Sequence, residues 1–205
     1  MARDPEFIDL SQLKKWVERE TKLGNPALES YVEEVSDKTI DLILEWSLAV
    51  NKSVKEIVRN VLPFPFVNES LDKFSKNADA IVVSSTPVEA LEREWKEQNI
   101  DKYVKVIAGQ EFGSKKEHLE YAAKNKYDKN RILMIGDAPG DYQAVIENDV
   151  LFYPINPGGE EESWERFYKE ALDKFFAETY AGDYEESLIK EFDQHLPEHP
   201  SWRTK

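Results

Sequence analysis

The sequence predicts an α/β fold, a parallel sheet with helices on both faces, preceded by an all-helical segment. Three observations predict it. Four short apolar runs of strand length follow one another: "AIVVS" (80–84), "VKVIAG" (104–109), "ILMIG" (132–136) and "VLFYPI" (150–155), all rich in β-branched or aromatic residues. Helical stretches at about 87–98, 115–125 and 140–148 separate them, and strand–helix alternation with short links means parallel strands covered by helices. The first third, by contrast, shows only helical periodicity up to "LPFPF" (62–66), where two prolines mark a junction.

Taken in order, Asp9 can cap a first helix, with Gln12 three residues on and Leu10, Leu13 and Trp16 or Val17 as its apolar face; Gly24 ends it. Asn25-Pro26 restarts the chain as a cap followed by proline at the first helical position. Leu28, Tyr31 or Val32, and Val35 then form the next face. Ser36 can cap a longer helix through "TIDLILEWSLAV", and Ser53 a fourth with Val54, Ile57, Val58 and Val61 turned inward. These readings divide the chain into a helical unit at 1–63, an α/β core at 64–160 and C-terminal helices at 161–205. In that last segment the stripe of Trp164, Phe167, Tyr168, Leu172, Phe175 and Phe176 is expected to pack on the core, with an interruption near Gly182.

Composition excludes several functions. The 205 residues are 40% hydrophobic, enough for a real core. A net charge of −14 disfavours nucleic acid and anionic membranes as partners. No run of about 18 apolar residues could span a bilayer, and no apolar leader is present at the N-terminus. The absence of cysteine removes disulfides, thiolate nucleophiles and Cys-ligated metals. These features fit a cytoplasmic protein. His118, His195 and His199 are too scattered for a zinc pair at helical spacing.

Ligands of open α/β sheets bind outside the carboxyl ends of the strands, so the residues there carry the functional reading. After the first strand come Ser84, Ser85, Thr86 and Pro87, with Thr86 and Glu89 spaced as a capping box. Hydroxyls at a helix N-terminus suit a phosphate oxygen. After the second strand, Ser114 and Glu117 are spaced as another capping box, which places Lys115 at the start of a helix. A cation conflicts with the positive end of the helix dipole unless an anion lies close by; Lys116 is the alternative cation. After the third strand, Asp137 and Asp141 flank a turn containing Pro139 and Gly140. Together these loops suit a phosphate bridged to the protein by Mg²⁺.

The ordered set resembles the haloacid dehalogenase (HAD) superfamily, whose members are mostly Mg²⁺-dependent phosphatases. "AIVVSS" looks like its second motif, a strand ending in a hydroxyl residue that binds phosphate, a role that falls on Ser84 with Ser85 beside it. Lys115 in "GSKKEHLEYAA" looks like the third-motif lysine, which neutralises phosphate and nucleophile. "MIGDAPGD" is similar to the fourth motif, with Asp137 as metal ligand and Asp141 supporting the metal or the lysine. The resemblance covers residues 64 to 160. It implies a HAD-like Rossmannoid core, a small phosphorylated substrate and, for residues 1–63, a substrate-selecting cap domain. A metal-independent dehalogenase and a non-catalytic binding or scaffold protein on the same fold are the alternatives.

The family's first motif is a central strand ending in Asp-x-Asp, whose first aspartate attacks phosphorus and whose second protonates the leaving group. No Asp-x-Asp occurs in these 205 residues, and "MARDPEFIDL" does not read as a buried strand. Three arrangements accommodate this: the chain is the C-terminal part of a longer enzyme, the favoured expectation; another chain supplies the strand; or the two flanking strands pair directly in a degenerate relative. Open strand edges would promote oligomerisation in the last two. Each predicts negligible turnover for the chain as given.

Overall fold

The computed structural model describes residues 8–20, 23–123 and 126–197, in two compact units, Met1–Val61 and Leu62–Lys205. The first unit holds α1 (Ser11–Arg19), α2 (Asn25–Val35) and α3 (Lys38–Ile57). α2 begins with proline in its first turn and ends at Ser36 in the left-handed conformation. Asp37, not Ser36, caps α3, its Oδ1 accepting from the Thr39 and Ile40 amides at 2.9 and 3.2 Å. Trp16, Leu28, Tyr31 and Ile40 form the buried cluster of this unit. No fourth helix starts at Ser53: α3 runs on unbroken to Ile57 because no proline or glycine interrupts it. Val54, Ile57 and Val61, expected to face inward, are exposed.

The second unit opens with α4 (Val67–Ser75), a helix not anticipated. Its signal was Val67, Leu71 and Phe74 at helical spacing, masked by Pro63 and Pro65 just before it. Then come β1 (Ile81–Val83), α5 (Val88–Glu97), β2 (Val106–Ala108), α6 (Lys115–Ala122), β3 (Leu133–Gly136), α7 (Pro139–Asn148) and β4 (Leu151–Pro154). α8 (Glu160–Arg166), a π-helical stretch (Phe167–Ala171) and α9 (Leu172–Phe176) form one run, and α10 (Asp183–His195) follows Gly182. The chain is therefore an α/β fold with parallel strands. Among the described residues no helix is long and apolar enough to cross a membrane.

The expected sheet was a parallel one whose central first strand is missing from this chain. The described residues form two parallel two-stranded ladders, β1 with β2 and β3 with β4, and β1 is not paired with β3. β4 is buried along its whole length. Leu151, Tyr153 and Ile155 pack on one face against Phe167, Leu172 and Tyr180. Phe152 packs on the other face with Met134, Val145 and Phe192. The stripe on α8–α9 packs on the sheet except for Tyr168, whose ring stacks on Phe66 at 5.9 Å.

The edges of the ladders differ. Leu151 N–H donates to Ile132 and Ile155 N–H to Gly136. Parallel alternation then turns the peptide groups of Phe152 and Pro154 outward. Phe152 N–H donates to Glu185 Oε1 (2.7 Å), Tyr180 O–H donates to Phe152 O (2.6 Å), and Pro154 has no N–H. The outer edge of β4 is closed by side chains. By the same alternation Leu133 and Ile135 of β3 and Ile81 and Val83 of β1 turn peptide groups away from their partners. Among the described residues those groups meet no strand.

Arg166 and Glu191 join α8 to α10 through two hydrogen bonds of 2.7 and 3.0 Å. The Arg166 guanidinium holds the Glu191 carboxyl below its ordinary value of 4.5. A depressed carboxyl stabilises the fold above its unfolded pKa, and that contribution is lost as pH falls through the folded value. Both side chains are about a third exposed, so solvent screening limits the effect to about 1 kcal/mol or less. Glu191→Gln is expected to lower stability in urea denaturation near neutral pH and to match the parent only in acid, once the pH lies well below the depressed folded pKa of Glu191. An equal deficit at both pH values would contradict the assignment.

Candidate functional site

All four strands run in parallel pairs, so their carboxyl ends carry the loops singled out by sequence. β1 ends at Val83, and Ser84 N–H still donates to Ala108 O of β2 at 3.0 Å. The half-buried Ser84 accepts the Thr86 amide on Oγ at 3.1 Å, which leaves its own O–H available to a ligand. Ser85 is exposed. Thr86 does not cap α5. Pro87 occupies the N-cap position with extended ψ, so the helix starts one residue later than the capping-box spacing implies. Thr86 O instead accepts Gln110 N–H at 3.1 Å, tying the loop after β1 to the loop after β2.

The capping box at α6 is complete. Ser114 Oγ accepts the Glu117 amide at 3.3 Å, and Glu117 Oε2 accepts the Ser114 amide at 2.8 Å. Lys115 follows at the first helical position and turns its ammonium onto Asp141 Oδ1 of α7 in a direct ion pair. Asp141 also accepts the Asp137 and Ala138 amides on Oδ2, each at 3.2 Å. It is 2% exposed. Three donors around one carboxylate offset the cost of burying it, and its charge answers the conflict between Lys115 and the α6 dipole. Lys116 pairs with Glu147 instead (3.0 Å) and is exposed, so it is the surface lysine of the two.

Gly136 makes this packing possible. A Cβ there would lie 2.5 Å from Asp141 Cβ and Cγ, closer than such atoms approach. Sequence reasoning passed over Gly136; its signal was a glycine closing a strand directly before the acid pair.

The structure thus brings Lys115, Asp141 and the Asp137 backbone together. It links the loops after β1, β2 and β3 through Gln110–Thr86 and Lys115–Asp141. The two acids, expected as a metal-binding pair, differ in environment. Asp141 spends its oxygens on Lys115 and two amides. The exposed Asp137 carboxylate makes no hydrogen bond or ion pair among the described residues. For Mg²⁺ the available donor is therefore Asp137, an oxygen ligand of the right hardness. Among the described residues no group of three His, Cys, Asp or Glu side chains could complete a protein cage. Mg²⁺ usually keeps several waters and needs only one or two carboxylates, so one free aspartate fits it.

The model of the family described as haloacid dehalogenase-like hydrolase matches residues 11–153. The match covers more than half of the chain, and the protein belongs to this family. It begins in α1 and ends in β4, taking in the helical unit as well as the strands. Comparison with curated proteins and with solved structures gave no significant match.

Two substitutions probe the pair. Asp141→Asn removes the charge facing Lys115 and is expected to cost about 2–3 kcal/mol in chemical denaturation, below a fully buried pair because Lys115 is partly exposed. Gly136→Ala is expected to cost about 1–3 kcal/mol by pushing Asp141 off the strand end. Parent-like stability in both variants would show that the pair does not organise the site.

Proposed function

We propose that the chain provides the phosphate- and metal-binding part of a HAD-type Mg²⁺-dependent phosphohydrolase acting on a small phosphomonoester. One observation carries this reading: the Lys115–Asp141 pair ties two strand-end loops together and leaves the Asp137 carboxylate unengaged beside it. Lys115 offers its remaining ammonium protons to a phosphoryl oxygen while Asp141 holds it in place. Ser84, whose Oγ accepts the Thr86 amide, offers its O–H to another oxygen. The exposed Ser85 hydroxyl lies next in sequence. Asp137 would hold Mg²⁺, which when bound neutralises phosphoryl charge as a Lewis acid.

Covalent chemistry is a separate matter. The family's Asp-x-Asp is absent from these 205 residues; of the two acids after β3, Asp141 is committed to Lys115, and this reading assigns Asp137 to the metal. This favours a second reading, a HAD-like binding protein that holds phosphate and metal without turnover. A metal-independent dehalogenase accounts less well for the free Asp137.

Calorimetry with Mg²⁺ and orthophosphate on the full chain tests the site. The expected result is saturable phosphate binding that requires Mg²⁺, weakened at least about tenfold by Asp137→Ala and by Lys115→Ala. Phosphomonoester turnover is expected to stay at background. Mg²⁺-dependent turnover that survives Asp137→Ala would overturn the assignment. Turnover abolished by Asp137→Ala would favour the enzyme over the binding protein.

A further inference from the structure

Ser84, Lys115 and Asp137 answer the phosphoryl group and its metal, but none of them receives the organic part of a phosphomonoester. One apolar side chain stands where that part must lie. Among the described residues of the second unit, the other large apolar side chains that are exposed lie before α4, within β2, on α6 or α7, or just after α6. Phe112 alone belongs to a loop at the carboxyl end of a strand, and it is 63% exposed. The backbone on either side of it is fixed. Gln110 N–H donates to Thr86 O at 3.1 Å, and Phe112 N–H donates to Gly109 O at 3.1 Å, which closes a 3-10 turn over Gln110–Phe112. Gly113 then takes a φ of +121°, and a Cβ there would meet Glu117 Oε2, the oxygen that caps α6, at 2.8 Å. Lys115 follows three residues after Phe112, so their Cα atoms are at most about 11 Å apart. Phe112 thus stands on a rigid bridge between the loop of Ser84 and the helix of Lys115. A lone exposed apolar residue is ordinary on a surface; one held by the backbone between two phosphate-binding groups is a preorganised contact.

The same loops limit the charge of a ligand. Residues 84–87, 109–114, 137–138 and 155–159, which follow the four strands, contain no Lys, Arg or His and carry Glu111 and Asp137. Lys115 begins the next helix and brings a cation to them, whereas Lys116 is taken by Glu147. One ammonium and one metal suffice for one phosphoryl group. A second anionic group on the same ligand meets no cation in these loops, and the net charge of −14 repels it.

We propose that Phe112 is a specificity-determining residue that receives the organic part of the ligand, and that the substrate class is the monophosphate of an uncharged, apolar alcohol, best an aryl one, rather than a phosphate bearing a second anionic group. The inference rests on the reading of Ser84, Lys115 and Asp137 as the phosphate- and metal-binding groups. An aryl ring suits Phe112 because two aromatic rings gain from offset or edge-to-face packing beyond the area they bury.

Calorimetry of the full chain with saturating Mg²⁺ tests this by comparing orthophosphate, methyl phosphate, phenyl phosphate and para-carboxyphenyl phosphate. Phenyl phosphate is expected to bind about tenfold more tightly than methyl phosphate, the size of one good aromatic contact. Phe112→Ala is expected to abolish that difference while orthophosphate binding stays within about twofold of the parent, which also shows that the variant is folded. Para-carboxyphenyl phosphate, the same ring with one more anion, is expected to bind at least about threefold more weakly than phenyl phosphate. With orthophosphate bound as expected, three results each overturn this proposal alone: equal affinity for the phenyl and methyl esters, a phenyl preference that survives Phe112→Ala, or a carboxylate that costs nothing. A parent chain that binds no orthophosphate overturns the reading of the site itself and this inference with it.

Discussion

The ion pair between Lys115 and Asp141 is the interaction on which the candidate site depends. A carboxylate buried to this degree must be paired, and it is met by an ammonium and two backbone amides. The demand runs both ways, since Lys115 sits at the positive end of its own helix and needs an anion there. Gly136 lets Asp141 lie against the end of β3, and the Ser114–Glu117 box starts α6 where Lys115 can reach it. Because Asp141 absorbs these donors, the neighbouring Asp137 keeps its carboxylate for solvent or a ligand. Two acids four residues apart thereby acquire different chemistry from different burial.

The strands show a second constraint, the satisfaction of peptide groups. β4 closes its outer edge with Tyr180, Glu185 and the missing N–H of Pro154, the kind of device that keeps an edge from recruiting another chain. Burial pushes the Tyr180 hydroxyl and the Glu185 carboxyl up, which favours the neutral forms of both groups at this edge. Among the described residues β1 and β3 have no such closure on the edges turned from their partners.

How much was legible follows from the range of each signal. Ser84, Lys115, Asp137 and Asp141 could be picked out because each directly follows a short β-branched run, and strand ends are where α/β ligands bind. The α6 capping box was legible for a similar reason, being a contact between residues three apart. Thr86 and Glu89 have the same spacing, yet Pro87 takes the cap position of α5. α4 lay hidden behind two prolines, and α3 ran past the serine expected to start a new helix because nothing in Asn51-Lys52-Ser53 stops one.

What the sequence determined alone is local and periodic: the parallel α/β class, the order of strands and helices, and the acids and the lysine at strand ends. Alternation, capping and strand length act within a few residues, so they survive without knowledge of the fold. Tertiary structure decided which acid serves the lysine, which lysine turns inward, which strand edges are closed and which apolar side chains of α3 stay exposed. These are questions of who meets whom across 26 residues for Lys115 and Asp141 or 28 for Phe152 and Tyr180. At such separations a carboxylate's partner is chosen by packing and desolvation rather than by spacing.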